Sequence, residues 1–165
     1  MQFSQTEAAS QGWSGYGDSQ YVNHVMRYYI VSPGGEMFAT PLGIGTYSIS
    51  RGWGYDSGEF HKGIDFAAPA GTNIYAAASG TVIYAQFGSA PYGGCGTVVV
   101  IKHDDTYTTL YDHCSKLLVK KGESVQLGQI IALVGSTGHS TGPHCHFKIR
   151  VNGDQVDPAQ YLNLV

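Results

Sequence analysis

Three histidines lie within eight residues near the end of the chain, in the stretch GSTGHSTGPHCHF. The last two, His144 and His146, begin the segment HCHFKIRV, which alternates polar and apolar residues as a half-buried strand does. Because successive strand residues point to opposite faces, both imidazoles project from one face, while Cys145 and Phe147 face the core. One imidazole of such a pair can bind a metal ion while the other transfers a proton. By itself, such a pair is more often two surface histidines on a sheet.

A second cluster, FHKGIDFAAPAGT, places His61 and Asp65 four residues apart. Gly63 and the following APAG disfavour a helix, and a strand would put both side chains on one face. Zn²⁺ takes nitrogen and oxygen ligands, and a catalytic site uses three of them plus water. His61, Asp65 and one histidine of the later pair would complete that set, whereas Asp65 alone would more often be a turn residue or a solvated carboxylate.

The third element is TTLYDHCS, which contains His113. Alternation predicts that Tyr111 and His113 share one face of a strand and that Leu110 and Asp112 share the other. A histidine near the end of a long hairpin and beside a metal ion is a candidate proton carrier or oxyanion stabiliser. Without a metal nearby, it would be an ordinary strand histidine.

The elements that must position these residues are short strands. After Phe38, stretches rich in Val, Ile, Thr and Tyr alternate with turn signals such as APAGT, GSAPYGG, HDD and KKGE. No helical period of useful length appears there, so we predict an all-β fold, either a sandwich or an open barrel. The predicted strands are 46–51, 62–66, 73–78, 80–87, 96–102, 106–112, 124–126, 129–135 and 144–151.

Composition excludes several classes of protein. The chain has 165 residues, a net charge of −3 and a pI of about 6.1, which disfavours a nucleic-acid-binding protein. It has no run of about 18 apolar residues, so no membrane span is expected. Its N-terminus lacks the basic head and apolar stretch of a secretory signal peptide. We therefore expect export by another route or a lost upstream part.

The three cysteines do not form a disulfide-rich framework. Cys95 and Cys114 flank a predicted hairpin whose turn lies near Asp104 and Asp105. Antiparallel neighbours can approach closely enough for a disulfide, so either a bridge or two buried free thiols fits this spacing.

In combination, HKGIDFAAPAGTNIYAAASGTV, TTLYDHCS and GSTGHSTGPHCHF resemble the lysostaphin-type, LytM-like zinc endopeptidases of bacterial cell walls. The similarity covers about residues 38–162. It implies a compact antiparallel β-sheet with a zinc-containing groove. By position in the motifs, it also implies that one Zn²⁺ is held by His61, Asp65 and His146, and that His113 and His144 are the non-ligating catalytic histidines.

Other positions match the family less closely. Tyr55, in GYDSGEFH, resembles a groove-loop tyrosine that can steady the oxyanion in some members. Thr106 stands where relatives often have Gly in the hairpin turn. His139 and His103 occupy no motif position; we interpret His103 as structural or exposed and His139 as a solvent-facing residue, with substrate contact by His139 as the alternative.

We divide the chain into two parts. Residues 1–37 are predicted to form a linker with a short helix, and residues 38–165 are predicted to form an endopeptidase domain. Residues 19–30 fit an amphipathic helix capped by Asp18 or Ser19. This helix faintly resembles the closing helix of a glycosidase-type wall-lytic domain. An upstream glycosidase domain or phage tail proteins are therefore candidate partners.

The family resemblance implies hydrolysis of stem or cross-bridge peptides of peptidoglycan, by a bacterial autolysin or by a phage tail or endolysin component. The expected location is the extracellular cell wall or the virion tail. The alternative is a non-catalytic wall-binding or regulatory relative, but such relatives lack part of the five-residue set that this chain retains. The segment KKGESVQLGQIIALVG also resembles lipoyl carrier hairpins, although no lysine is placed at a hairpin tip.

A histidine base predicts a characteristic pH dependence. The unperturbed pKa of histidine is about 6.5, so protonation should abolish proton acceptance in mild acid. We expect peptide hydrolysis to fall below about pH 6. Initial rates measured between about pH 5 and 8 check this, and a flat profile would contradict a histidine base.

Overall fold

The computed structural model describes residues 30–31 and 37–164, and nearly all of its elements are short strands. The predicted all-β class is confirmed. Within these residues, no helix is long and apolar enough to cross a membrane. In chain order the strands are β1 (Ile30–Val31), β2 (Met37–Phe38), β3 (Ser48–Arg51), β4 (Gly54–Asp56), β5 (Glu59–His61), β6 (Ile64–Ala67), β7 (Asn73–Tyr75), β8 (Gly80–Phe87), β9 (Thr97–Lys102), β10 (Tyr107–Leu117), β11 (Ser124–Val125), β12 (Ile130–Val134), β13 (His144–Val151) and β14 (Asp154–Val156), followed by a 3-10 helix at Pro158–Gln160.

One antiparallel sheet contains most of these strands, and β10 is its centre. The main path runs β11, β8, β9, β10, β13, β6, β3. The first part of β10 pairs with both β9 and β13, whereas its end pairs with β12, which in turn pairs with β7. Strands β4 and β5 form a separate hairpin that ends at His61, in the FHKGID segment. The long central strand β10, which contains TTLYDHCS, therefore lies directly beside β13, which begins with HCHF.

Each predicted strand segment after residue 38 contains a strand, and the boundaries differ by only a few residues except at β10, which continues to Leu117. Strands β4, β5 and β14 and the 3-10 helix at Pro158–Gln160 were missed, because runs of three residues are too short to show a period. The predicted helix over residues 19–29 lies outside the described residues, and Ile30, its last predicted residue, is in β1.

The predicted hairpin turn between β9 and β10 is confirmed. Asp104 Oδ1 accepts hydrogen bonds from the backbone N–H groups of Thr106 and Tyr107, at 2.8 and 2.7 Å. An aspartate side chain that bonds the backbone two residues on stabilises such a turn. Thr106 therefore fits this turn although it is not a glycine.

The central strands are buried on both faces. Val99 and Ile101 lie in the main core with Phe147, while Val98 and Val100 pack in a smaller cluster on the other face. A run of β-branched residues suits such a strand, since both faces exclude water. Cys145, Phe147 and Ile149 are fully buried, as the alternation of β13 predicts.

The cysteines of the chain are free thiols. Cys114 lies in the main core, whereas Cys95 lies in the smaller cluster on the opposite face of the sheet. Side chains on opposite faces cannot meet a disulfide's short Cβ–Cβ requirement. The free-thiol alternative is therefore the correct one.

A directed chain of hydrogen bonds crosses the main core. The Ala77 N–H donates to the Tyr111 hydroxyl at 3.0 Å, and the hydroxyls of Tyr111 and Thr109 are 2.7 Å apart. His103 Nδ1 donates to the Ser79 carbonyl at 2.7 Å, so its Nε2 must accept from Thr109, at 2.8 Å. Burial lowers the pKa of His103 and keeps its imidazole neutral, so that Nε2 can accept the hydrogen bond from Thr109.

We expect Thr109→Val to lower the free energy of unfolding by about 1–3 kcal/mol, because it leaves the Tyr111 hydroxyl and His103 Nε2 without their buried partner. Thr108→Val, on the opposite face of the same strand, is the matched control with little expected effect. Urea unfolding midpoints check both variants, and equal midpoints would contradict a structural role for the network.

Candidate active site

Three side chains from separate strands converge at one end of the sheet. Asp65 of β6 and His146 of β13 are directly opposite each other across the ladder, and His61 ends the neighbouring β4–β5 hairpin. Opposite residues of an antiparallel pair share a face and lie close together. One ligand atom from each of the three residues lies within 4.8 Å of the others. The structure therefore brings together the three residues that the sequence nominates as metal ligands, and their role as ligands stays a prediction.

The protonation of this cluster favours a bound cation. Asp65 Oδ1 lies 2.7 Å from His146 Nδ1 and 3.2 Å from His61 Nε2, and the two nitrogens are 3.1 Å apart. His61 Nδ1 donates to the Gly52 carbonyl at 2.9 Å, so His61 Nε2 presents a lone pair to the carboxylate. Two facing acceptors repel each other unless a positive charge lies between them. This nitrogen and oxygen donor set fits Zn²⁺, and a carbonyl that orients the far side of a histidine is typical of metal ligands.

The charge of Asp65 is maintained by its histidine neighbours. Burial alone would raise the pKa of this carboxyl group, but the contact with His146 and the attraction between the carboxylate and the protonated forms of His146, His144 and His61 lower it below the ordinary value. Asp65 is therefore an ionised acceptor at neutral pH, although it is 8% exposed.

His113 and His144 form a second pair of imidazoles beside this cluster, with ring centroids 4.7 Å apart. His113 Nδ1 donates to the Thr137 carbonyl at 2.7 Å, and His144 Nδ1 donates to the Gly142 carbonyl at 2.8 Å. Because a carbonyl can only accept, each ring carries its proton on Nδ1 and leaves Nε2 free to accept one. His144 Nε2 lies 3.7 Å from Asp65 Oδ1.

Burial also lowers the pKa of His113, an effect that the Thr137 carbonyl and the charge of Asp112 partly offset. Its imidazole is therefore neutral at pH 7 and ready to accept a proton, since its unperturbed pKa is already about 6.5.

The predicted faces of TTLYDHCS were right for Leu110 and Asp112, which share one face, but wrong for Tyr111 and His113, which do not. The ladder between β9 and β10 shifts register between Tyr111 and Cys114, and His113 has a φ of 67°. Tyr111 and Cys114 consequently both lie in the main core, while Asp112 and His113 both line the groove. A bulge leaves an extra residue unpaired and changes the face of those that follow, which simple alternation does not include.

The groove also contains a carboxylate that sequence reasoning missed, because Asp112 lies directly opposite His146 in the regular part of the β10–β13 ladder. Asp112 is 3% exposed, and its Oδ2 is 2.9 Å from Lys148 Nζ. The same ammonium lies 3.6 Å from Cys95 Sγ. Burial, with a further contribution from Asp112, raises the pKa of the Cys95 thiol to about 11 and keeps it protonated.

The groove in which these groups lie has a volume of about 870 Å³. His139 is an exposed residue of its wall, and its backbone N–H donates to the Gly94 carbonyl at 2.9 Å. Tyr55 is absent from the lining; it is 81% exposed and packs edge-to-face on Phe60. The structure thus does not bring Tyr55 to the site. The lining comprises Ser50, Arg51, Glu59, His61, Asp65, Ala67, Gly93, Gly94, Cys95, Asp112, His113, His139, Ser140, Thr141, Gly142, Pro143, His144 and His146.

Backbone carbonyls of Gly52, Thr137 and Gly142 are the other site groups that sequence reasoning missed. A carbonyl has no residue identity, so side-chain chemistry cannot reveal it. The Gly/Ser/Thr composition before His144 signals a loop, but it does not show which carbonyl meets which imidazole.

The model of the peptidase family described as M23 matches residues 59–158, well over half of the chain. The chain belongs to peptidase family M23. Its antiparallel sheet is the fold of lysostaphin-type members of this family. The catalytic domain of lysostaphin from Staphylococcus simulans aligns with a TM-score of 0.61 and 38% identity, covering 68% of this chain and 89% of that domain.

Two further M23 relatives extend the comparison. A variant of the catalytic domain of the prophage-encoded M23 protein EnpA from Enterococcus faecalis aligns with a TM-score of 0.65 and 38% identity, over 72% of this chain and 94% of that domain. The peptidoglycan DD-endopeptidase ShyA of Vibrio cholerae is 47% identical over 97 residues, which is 59% of this chain and 22% of ShyA. The M23 chain spans only a fifth to a third of the length of curated relatives such as ShyA, from 20% to 34%.

Gly63 must lack a side chain for the cluster to form. An added Cβ would lie 2.7 Å from the Phe147 carbonyl oxygen and 2.8 Å from His146 Nε2. We expect Gly63→Ala to displace His146 and weaken Zn²⁺ binding by about 10- to 100-fold. Gly93→Ala is the control, because a Cβ there meets nothing within 4 Å. Competition titration with a chromophoric chelator measures both, and equal affinities would rule out this constraint.

Proposed function

We propose that this M23 chain is a zinc metalloendopeptidase that hydrolyses peptide bonds of peptidoglycan. The observation that carries the proposal is the convergence of His61, Asp65 and His146 beside two imidazoles whose free Nε2 atoms can exchange protons. The similarity to ShyA, a peptidoglycan DD-endopeptidase, supports the choice of substrate.

In this proposal His61, Asp65 and His146 hold one Zn²⁺, which supplies Lewis acidity and makes its bound water acidic near pH 7. His113 and His144 carry the proton transfers. One neutral imidazole accepts a proton at Nε2 from the attacking water, and a protonated imidazole donates one to the leaving amine. The Nδ1–H of each ring stays hydrogen-bonded to its loop carbonyl, so each ring exchanges protons only at Nε2. His113 is also placed to stabilise the oxyanion by donating from Nε2 when protonated.

The groove fits an extended peptide. Gly93 and Gly94 line one wall and Ser140, Thr141 and Gly142 another, so small side chains leave room for a substrate backbone. We therefore propose stem or cross-bridge peptides of the cell wall as substrates. We also propose an endopeptidase domain at residues 38–165, preceded by a linker with a short helix at residues 1–37.

A prophage-encoded M23 relative supports a phage setting, in which the chain acts as a tail-associated or endolysin component. A bacterial autolysin is the other setting, and both place the enzyme outside the cell or on the virion tail. An upstream glycosidase domain or tail proteins would be its partners.

Digestion of purified sacculi tests the function. We expect the protein to release peptides from sacculi of at least one wall chemotype, and a zinc chelator to stop the release until Zn²⁺ is restored. Mass spectrometry of the new termini identifies the bond that is cut. Intact sacculi across stem-peptide and cross-bridge chemotypes would contradict the proposal.

The roles of individual histidines can be separated by zinc content. His61→Ala should lose its bound Zn²⁺, because it removes one of three ligands. His113→Ala should keep Zn²⁺ but lose about 10²- to 10⁴-fold in hydrolysis rate, because it removes a proton-transfer group. His139→Ala, which removes a groove-wall imidazole outside the cluster, is the control and keeps Zn²⁺. Zinc retained by His61→Ala, or full activity of His113→Ala, would overturn these roles.

A further inference from the structure

The hydroxyl of Thr137 occupies a position inside the β9–β10 ladder. Thr137 Oγ1 donates to the Cys114 carbonyl at 2.7 Å and accepts from the Thr97 N–H at 3.1 Å. Cys114 and Thr97 are partners in the register of these two strands. A side-chain hydroxyl from a distant loop therefore bridges a backbone donor and acceptor that face each other across the ladder.

This bridge lies at the bulge that turns His113 into the groove. The register shifts between Tyr111 and Cys114, and the His113 N–H bonds the Cys95 carbonyl at 2.8 Å. At the bulge, the Thr97 N–H and the Cys114 carbonyl are bridged by the Thr137 hydroxyl, which lies between them. A non-glycine residue with positive φ, as at His113, persists only where its surroundings hold it there.

The same residue also holds the imidazole of His113. The Thr137 carbonyl accepts from His113 Nδ1 at 2.7 Å, so one residue fixes both the backbone and the ring. Close glycine packing keeps this residue in place. A Cβ on Gly96 would collide with the backbone and hydroxyl of Thr137, and one on Gly138 would collide with Gly96.

We propose that Thr137 is a positioning residue of the active site. Its hydroxyl stabilises the bulge and thereby holds the His113 ring, with its proton on Nδ1, beside the candidate metal ligands. The inference rests on the proposed function, because it assumes that His113 transfers protons there. Its structural part, the tautomer of His113, can be measured without any catalysis.

The test compares Thr137→Val, which keeps the shape but removes the hydroxyl, with Thr137→Ser, which keeps the hydroxyl. We expect Thr137→Val to lower kcat by about 10- to 100-fold with little change in KM or zinc content, because the imidazole is misplaced while ligands and groove remain. Thr137→Ser should retain most of kcat. Thr72→Val is the matched control, since it removes a 2.7 Å hydroxyl-to-carbonyl bond at Pro69, away from the groove lining.

Nitrogen NMR of the zinc-loaded protein reports which ring nitrogen of His113 carries the proton. The wild type and Thr137→Ser should show protonated Nδ1, and Thr137→Val should show a mixture of tautomers. An unchanged tautomer in Thr137→Val, or a Thr137→Ser variant as impaired as Thr137→Val, would overturn the inference. If the wild type cleaves no sacculi while the tautomer shifts as expected, the proposed function fails and the positioning role stands. Should Thr137→Val not fold, the tautomer and kcat of Thr137→Ser still decide, because loss of either contradicts the hydroxyl's role.

Discussion

The register of β6 against β13 is the constraint on which the site depends. It sets Asp65 opposite His146 and Phe66 opposite Cys145, and it leaves Phe66 and Phe147 fully buried. A slip of one residue would expose these aromatic rings and turn Asp65 and His146, two of the candidate metal ligands, into the core. The free energy of burying two phenylalanines, about 1.5–3 kcal/mol each, therefore also holds the donor atoms in place.

A second constraint is the tautomer of His61, His113 and His144, that is, which ring nitrogen carries the proton. Carbonyls of Gly52, Thr137 and Gly142 each accept from an Nδ1–H, so the acceptor nitrogens all face the groove. Strand pairing could place the rings equally well with the proton on the other nitrogen. The loops around the sheet consequently decide the chemistry, while the strands decide the positions.

The buried charges of the groove are compensated locally. Asp65 lies among histidines and Asp112 pairs with Lys148 at 2.9 Å. A buried carboxylate without such a partner would cost several kcal/mol or take up a proton. The negative charge of Asp112 raises the pKa of His113 and so partly offsets the lowering caused by burial.

Sequence alone determined most of the strands, the alternation of β13 and the pairing of His61 with Asp65, because period-two patterning and His/Asp spacing are properties of local sequence. The choice of His146 over His144 as the third residue rested on the family resemblance. Only the tertiary structure decided that His113 and Asp112 both face the groove, that Cys95 and Cys114 lie on opposite faces, and that Tyr55 lies outside the lining. The bulge at His113 has no sequence signal, since a positive φ at a histidine is imposed by contacts from a distant loop. The carbonyls that set the tautomers have no residue identity either, so only the folded backbone shows where they lie.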